Sequence, residues 1–539
     1  MYYKELAVLS EYYNPFETKY LNGPVLERVE EDNPQTIISP HGFQLLEEYL
    51  YGDWGKENYK LISKELEFIF SMITRLQNEP DRIYKFKDET VLDAMQSSVL
   101  RLITLGISGF DSPVALLSIN EATATLTGIQ NLIDFYKPPL ERTHSKSYPK
   151  LLYALDAAKK YLSANITFND FDRLYFIKEY GNPLYILLGQ IKSELQLPKP
   201  DGRRPINSEA ISIFEPGAFN IGFFSPDEQY QVTTERVALG KRLFSDPILS
   251  ETKNRSCASC HKPELAFTDG LPRALALDGK TVLKRNTPTL WNTVLQTRQF
   301  YDSRTSILEN QLDEVVHNAE EMKGSLKKAV VDLQNDTVYN SMFKKAYPGQ
   351  KLPLSPYNIA NAISSYVRTL VALDSRFDHY MRGDKTQLNE DEKKGFNLFM
   401  GKGKCGTCHF IPLFNGLVPP EFHETESEVL GVPKRIKGKP ALDDDLGKYN
   451  FTKASIHKHS FKTPTLRNIA LTAPYMHNGI FNTLEQVVDF YDKGGGAGLK
   501  IAPDNQTLPS EKLMLTKKEK KAIIAFMHTL TDTAYNYKY

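Results

Sequence analysis

The sequence predicts a mostly α-helical chain: an amino-terminal helical bundle followed by two copies of one smaller helical unit. Three observations point there. Apolar residues recur at helical spacing over 61–76 and 91–105, all four cysteines fall into two like-spaced pairs, and the segments around those pairs repeat. At 539 residues the chain is too long for one core. Its 41% hydrophobic and 24% charged residues exclude a wholly disordered or fibrous chain.

Residues 1–205 hold no cysteine and read as the bundle. Pro138-Pro139 punctuates it, and the prolines from Pro198 to Pro205 read as a linker to the cysteine-bearing region. Lys plus Arg and Asp plus Glu both number 66, so the balanced chain has no global field to gather nucleic acid. No stretch reaches the roughly 18 apolar residues of a membrane span. Met1-Tyr2-Tyr3-Lys4-Glu5 shows no basic region followed by an apolar core, so no secretion signal is visible.

The cysteines carry the chemistry. Cys257-Ala258-Ser259-Cys260-His261 and Cys405-Gly406-Thr407-Cys408-His409 both have the C-x-x-C-H spacing of covalent c-type haem attachment. Two thiols form thioethers with the porphyrin, and the adjacent imidazole lies under the iron as axial ligand. Four thiolates could instead hold zinc, but both histidines would then lack a reason. A dithiol redox motif belongs in a strand–helix unit, whereas these flanks are helical and glycine-rich. Two covalently bound haems are therefore expected, with His261 and His409 on iron. Such attachment happens outside the cytoplasm, so a periplasmic or otherwise exported protein is expected.

The motifs sit in an internal duplication. Gly240 precedes Leu243-Phe244 by three residues, and Gly395 precedes Leu398-Phe399 in the same way. The closing segments from Ala362 and from Ala522 also match, the second opening with the capping-box pair Thr516 and Glu519. Helix, haem motif, loops and final helix is the order of a cytochrome c unit. The first is read over 206–380 and the second over 381–539.

Over about residues 230–535 the chain resembles the bacterial dihaem cytochrome c peroxidase and MauG family. The resemblance rests on both haem motifs, Arg285-Asn286-Thr287-Pro288-Thr289, Gln299 to Arg304, Glu320-Glu321-Met322 and Pro464 to Gly479. It implies that hydrogen peroxide reacts at the His261 haem while the His409 haem passes or stores electrons. Glu321, rather than Glu320, falls on the family's catalytic glutamate, a base that moves a proton between peroxide oxygens. Gln311 falls near the same pocket. No His or Met lies between His261 and Asn286, which implies an open iron position at rest.

The resemblance further places Tyr491 where the peroxidases have the second haem's Met ligand and MauG has Tyr; Met476 is the competing ligand. Tyr301 matches the Trp that relays electrons between the haems. Asn286, Thr472 and Pro474 match a calcium site. Implied partners are a small electron donor, cytochrome c or cupredoxin, or a protein oxidised through a high-valent dihaem state; a homodimer is a further implication. A plain electron-transfer cytochrome is the non-catalytic rival. His457 and His459, on a Lys-rich loop, are expected at the surface. In the bundle, Ser39 to Leu50 resembles the G-x-H-x-x-E neighbourhood of imelysin-like proteins, with Gln44 in place of His.

Overall fold

The predicted helices of the cysteine-bearing region begin where the chain offers side-chain acceptors to their unpaired amide groups, at Thr233, Ser355, Asn389 and Thr516. In this computed structural model, which describes residues 2–29, 36–52, 58–78 and 86–532, the 61–76 pattern becomes Tyr59–Asn78 and the 91–105 pattern Asp88–Thr104. The Thr516 hydroxyl accepts the Glu519 N–H at 3.2 Å, and the Glu519 carboxylate accepts the Thr516 N–H at 2.7 Å. Asn389 and Glu392 cap Glu390–Met400 in the same reciprocal way. Pro138 and Pro139 open the short helix Lys137–Arg142, where the missing N–H costs nothing.

Regular structure is not purely helical. Among the described residues, six short strands form three two-stranded antiparallel ribbons, two of them in the second haem unit. Ser427–Glu428 pairs with Phe461–Lys462, and Pro433–Arg435 with Ala441–Leu442. These ribbons pin the long loops between the second cysteine pair and the last helix. Helical periodicity does not reveal them, because two-residue strands carry no readable alternation. No helix among the described residues is long and apolar enough to cross a membrane.

The apolar residues gather into two cores. One is formed by the first haem unit, from Leu239 to Ala372. The other runs without a break from the bundle (Val8, Leu92, Leu126, Leu188) into the second haem unit (Phe396, Phe414, Phe526). Polar contacts lock the same junction. The Leu174 N–H donates to Asn397 Oδ1 at 2.9 Å, and Asn397 Nδ2 donates to Asp172 at 2.8 Å. Between them Arg173, fully buried, braces the bundle's side of the junction by donating to the bundle carbonyls of Ile107, Phe168 and Phe171. The Phe110 and Phe410 rings meet edge-on at 5.8 Å. The bundle thus packs on the residue that follows His409.

In both haem units the first helix lies against the last. Thr234–Ser245 packs along Pro356–Arg368, and Glu390–Met400 along Lys517–His528. The duplicated glycines make this contact possible. A Cβ on Gly240 would lie 1.8 Å from the Ala362 carbonyl oxygen, and one on Gly395 would lie 2.0 Å from that of Ala522.

Candidate functional site

The histidine of each C-x-x-C-H motif is gripped by backbone carbonyls. His261 donates its Nδ1–H to the Phe267 carbonyl at 3.0 Å, with the Pro288 carbonyl also in hydrogen-bonding reach. His409 donates from Nδ1 towards the carbonyls of Phe414 at 3.3 Å and Pro464 at 3.1 Å. Both phenylalanines are buried and take left-handed backbone angles, φ 58° and 51°, which turn their carbonyls to the ring. With Nδ1 occupied, Nε2 is the nitrogen left for a metal. Burial pushes both imidazoles down, His409 to about 4, so each is the neutral form that iron needs.

The thiols fit haem better than zinc or redox exchange. None of the four is in a disulfide. Burial pushes Cys257 and Cys405 up to about 12 and raises Cys260 and Cys408 as well. Redox-active cysteines need the opposite shift, towards thiolate, and among the described residues no group of three or more His, Cys, Asp or Glu side chains is placed to hold a zinc ion. The residues present therefore suit two covalent haems: thiols for thioether bonds, and a positioned, neutral imidazole beside each pair.

The carbonyl grip exposes a repeat that motif reading overlooked. Pro288-Thr289-Leu290-Trp291-Asn292 and Pro464-Thr465-Leu466-Arg467-Asn468 play the same part in each unit. The Thr289 hydroxyl donates to the Ala266 carbonyl at 2.6 Å, and the Thr465 hydroxyl to that of Leu413 at 2.9 Å. Each of these carbonyls belongs to the residue before the gripping phenylalanine. Asn292 and Asn468 both adopt left-handed angles and tie the segment to the end of the unit's last helix, through Leu370 and Leu530.

Glu321 follows the helix Leu308–His317 in a tight turn. It is half-buried while Glu320 is exposed. Asn318 Nδ2 donates to Glu321 Oε1 at 2.8 Å. Burial raises the carboxyl's pKa, offset in part by the nearby Arg304 and Arg255 guanidiniums. Its charge acts on the Cys260 thiol, so it lies near the first cysteine pair. Arg255, two residues before Cys257, ties this turn to the 275–276 segment by donating to the carbonyls of Leu275, Ala276 and Glu321. Gln311 is half-buried on the preceding helix.

Tyr301 and Asn286 come together: the phenol donates to Asn286 Oδ1 at 3.3 Å, and burial holds its pKa up. The Tyr301 carbonyl accepts the Lys462 N–H at 2.7 Å, which joins the first unit to a ribbon of the second. The Asn286 N–H donates to the His477 carbonyl at 2.7 Å, bringing it beside the loop that holds Thr472 and Pro474. As calcium donors these three residues offer neutral oxygens only. Asn286 Oδ1 already accepts from Tyr301, and the described residues contain no group of three or more His, Cys, Asp or Glu side chains suited to a metal ion.

Tyr491 lies on Leu484–Asp492, close enough to the second cysteine pair to feel its charges. Burial raises its pKa most, followed by the charges of Cys408, Cys405 and Glu428. Met476 is half-buried against the second unit's core, with a left-handed φ of 74°. His457 and His459 depart from expectation: both are half-buried and structural. His457 Nδ1 lies 2.9 Å from the Thr452 hydroxyl, and His459 donates to the Asp445 carbonyl at 3.0 Å. In the bundle, Gln44 is buried and donates to the Asn22 carbonyl, while Glu47 accepts from Ser112 and the Ala115 N–H.

Comparison with known proteins places the chain. The sequence profile of the di-haem cytochrome c peroxidases matches residues 234–386. Over 301 residues the chain is 34% identical to the methylamine utilization protein MauG of Methylorubrum extorquens, spanning 56% of this chain and 79% of that one. The chain belongs to the dihaem cytochrome c peroxidase and MauG family. A cytochrome c551 peroxidase of Pseudomonas aeruginosa is 32% identical over 300 residues, 56% of this chain and 80% of that protein. Among solved structures, a MauG-like protein associated with microbial copper homeostasis aligns with a TM-score of 0.52 at 32% identity, over 57% of this chain and 92% of that one. Membership of this family makes c-type haem the group for both C-x-x-C-H motifs and peroxidase-type oxidoreduction the general chemistry.

Proposed function

We propose that this chain is an exported dihaem peroxidase that reduces hydrogen peroxide to water at the His261 site, with electrons relayed from the His409 site. The observation that carries this reading is Glu321, a half-buried carboxyl of raised pKa with one oxygen held by Asn318. When bound, the haems supply an iron that takes peroxide and a second that stores an electron. Glu321 Oε2, the free oxygen, accepts a proton from the inner peroxide oxygen and returns it to the outer one. One peroxide, two protons and two electrons give two waters. Gln311 orients the peroxide. Tyr301, with its proton on the Asn286 hydrogen bond, lies on the electron path between the units. The electrons come from a small cytochrome c or cupredoxin.

A second reading is favoured by one residue. Tyr491 stands near the second cysteine pair, and on this reading it supplies the MauG-type ligand in place of a thioether. A phenolate is a harder, anionic donor that lowers an iron's potential. That suits an oxidase acting on a partner protein.

One titration tests the enzyme. Stoichiometric peroxide added to the two-haem protein should change its Soret band, and reduced cytochrome c should restore it with steady turnover. Recovery only on adding one particular protein selects the second reading. No change at either haem leaves an electron-transfer cytochrome.

A further inference from the structure

Buried cations in the haem units are paired, with one exception. Arg368 meets Glu309 through two hydrogen bonds at 2.7 and 2.8 Å, and Arg467 grips Asp378 with both terminal nitrogens. Lys462 is 9% exposed, and its ammonium donates to the side-chain oxygen of Gln296. Among the described residues no carboxylate pairs with it, and burial alone pushes it down to about 8. A buried charge without a counter-charge is costly, so a built site for one implies an anion that belongs there.

Its surroundings say which anion. Lys462 ends the strand Phe461–Lys462, opposite Ser427. Two residues on, the Pro464 carbonyl holds His409. Gln296 follows Leu295, whose carbonyl accepts Asn415 Nδ2 at 3.1 Å. Asn415 in turn follows Phe414, the other carbonyl on His409. The ammonium and its amide partner are thus embedded in the backbone that positions the second axial histidine. A haem tethered there brings two propionates, which are carboxylates that must be placed.

We propose that Lys462 binds a propionate of the haem tethered at Cys405 and Cys408, with Gln296 orienting the ammonium. The inference rests on the dihaem reading of the two motifs. A propionate supplies the missing negative charge. The cation withdraws electron density from that haem and raises its potential, against the pull of Tyr491. The Lys462 N–H on the Tyr301 carbonyl then ties this propionate edge to the proposed relay.

The test uses holoprotein shown by intact mass to carry two haems; a mass without adducts would end the dihaem reading itself. In its crystal structure, Lys462 Nζ should lie within the ~4 Å of an ion pair from a propionate oxygen of the second haem. Spectroelectrochemical titration of Lys462→Met should show one of the two haem couples shifted to lower potential, with Lys462→Arg close to the parent. The proposal is overturned if Nζ meets only Gln296 or water, or a propionate of the first haem. It is equally overturned if two-haem Lys462→Met keeps both potentials. Should Lys462→Met lose its second haem, the parent crystal structure decides alone.

Discussion

Gly240 lies flush against the Ala362 carbonyl, with room for a hydrogen and none for a methyl group. The Gly395–Ala522 contact repeats it in the second unit. Because the obstructing atom is backbone oxygen, relief requires the paired helices to separate. Gly240→Ala and Gly395→Ala should each cost about 3 kcal/mol, the upper part of the overpacking range. Thermal unfolding of the haem-loaded variants measures this, and an unchanged melting temperature would show that the helices shift freely.

Glu321→Gln should lower peroxide turnover by about 10²- to 10⁴-fold, the usual worth of a positioned acid–base group. The resting spectra should be unaltered, and exposed Glu320→Gln should keep full activity. Glu321 works as a base only when ionised, so its contribution disappears as pH falls through its raised pKa. The acid limb of the kcat/KM profile should therefore sit above the ~4.3 of an ordinary glutamate. In Glu321→Gln that limb should vanish.

Tyr491→Phe should alter the second haem's absorption and its low-temperature magnetic resonance signal, while Met476→Leu leaves both as they were. If the two variants swap outcomes, the iron ligand is the thioether.

Glu421 sits half-buried at the junction of the bundle and the second unit, where burial and then Glu11 push its carboxyl up to about 7. The folded state thus holds this proton more tightly than the unfolded chain, whose glutamates titrate near ~4.3. The resulting stability is full below that value and is lost as pH rises through 7. Glu421→Gln mimics the protonated form. Its melting temperature relative to the parent should rise from about pH 5 to about pH 8; a constant gap would place the carboxyl in water.

Deleting residues 1–205 should not leave a tidy two-haem fragment. The bundle and second unit share one apolar core, and removal exposes a contiguous apolar face that invites aggregation. Light scattering of the expressed fragment checks this; a monomeric fragment with normal spectra would show the bundle to be an appendage.

How far the sequence could be read depended on where the signal resides. Side-chain chemistry was legible: the two C-x-x-C-H motifs, the Thr516–Glu519 cap, and the glycines that permit the helix contacts. Features built from main chain were not. Carbonyls of Phe267, Phe414, Pro288 and Pro464 hold the histidines, and a carbonyl leaves no trace in residue type. The Pro-Thr-Leu repeat was visible in principle, yet it stands much farther from its cysteine pair in the second unit, so no fixed period announced it. His457 and His459 looked exposed because lysines flank them, whereas tertiary packing covers half of each. The docking of the bundle through Asp172, Leu174 and Asn397 joins residues more than two hundred positions apart, a relation that local periodicity cannot express.

The carbonyl grip has an evolutionary corollary. Substitution replaces side chains and leaves main-chain oxygens in place, so the support beneath each imidazole is shielded from point mutation. Twin cofactors held by interchangeable cradles would begin as electronic equals. Divergence between them had to be written on the opposite faces and around the porphyrin rims, where single residues can still be exchanged.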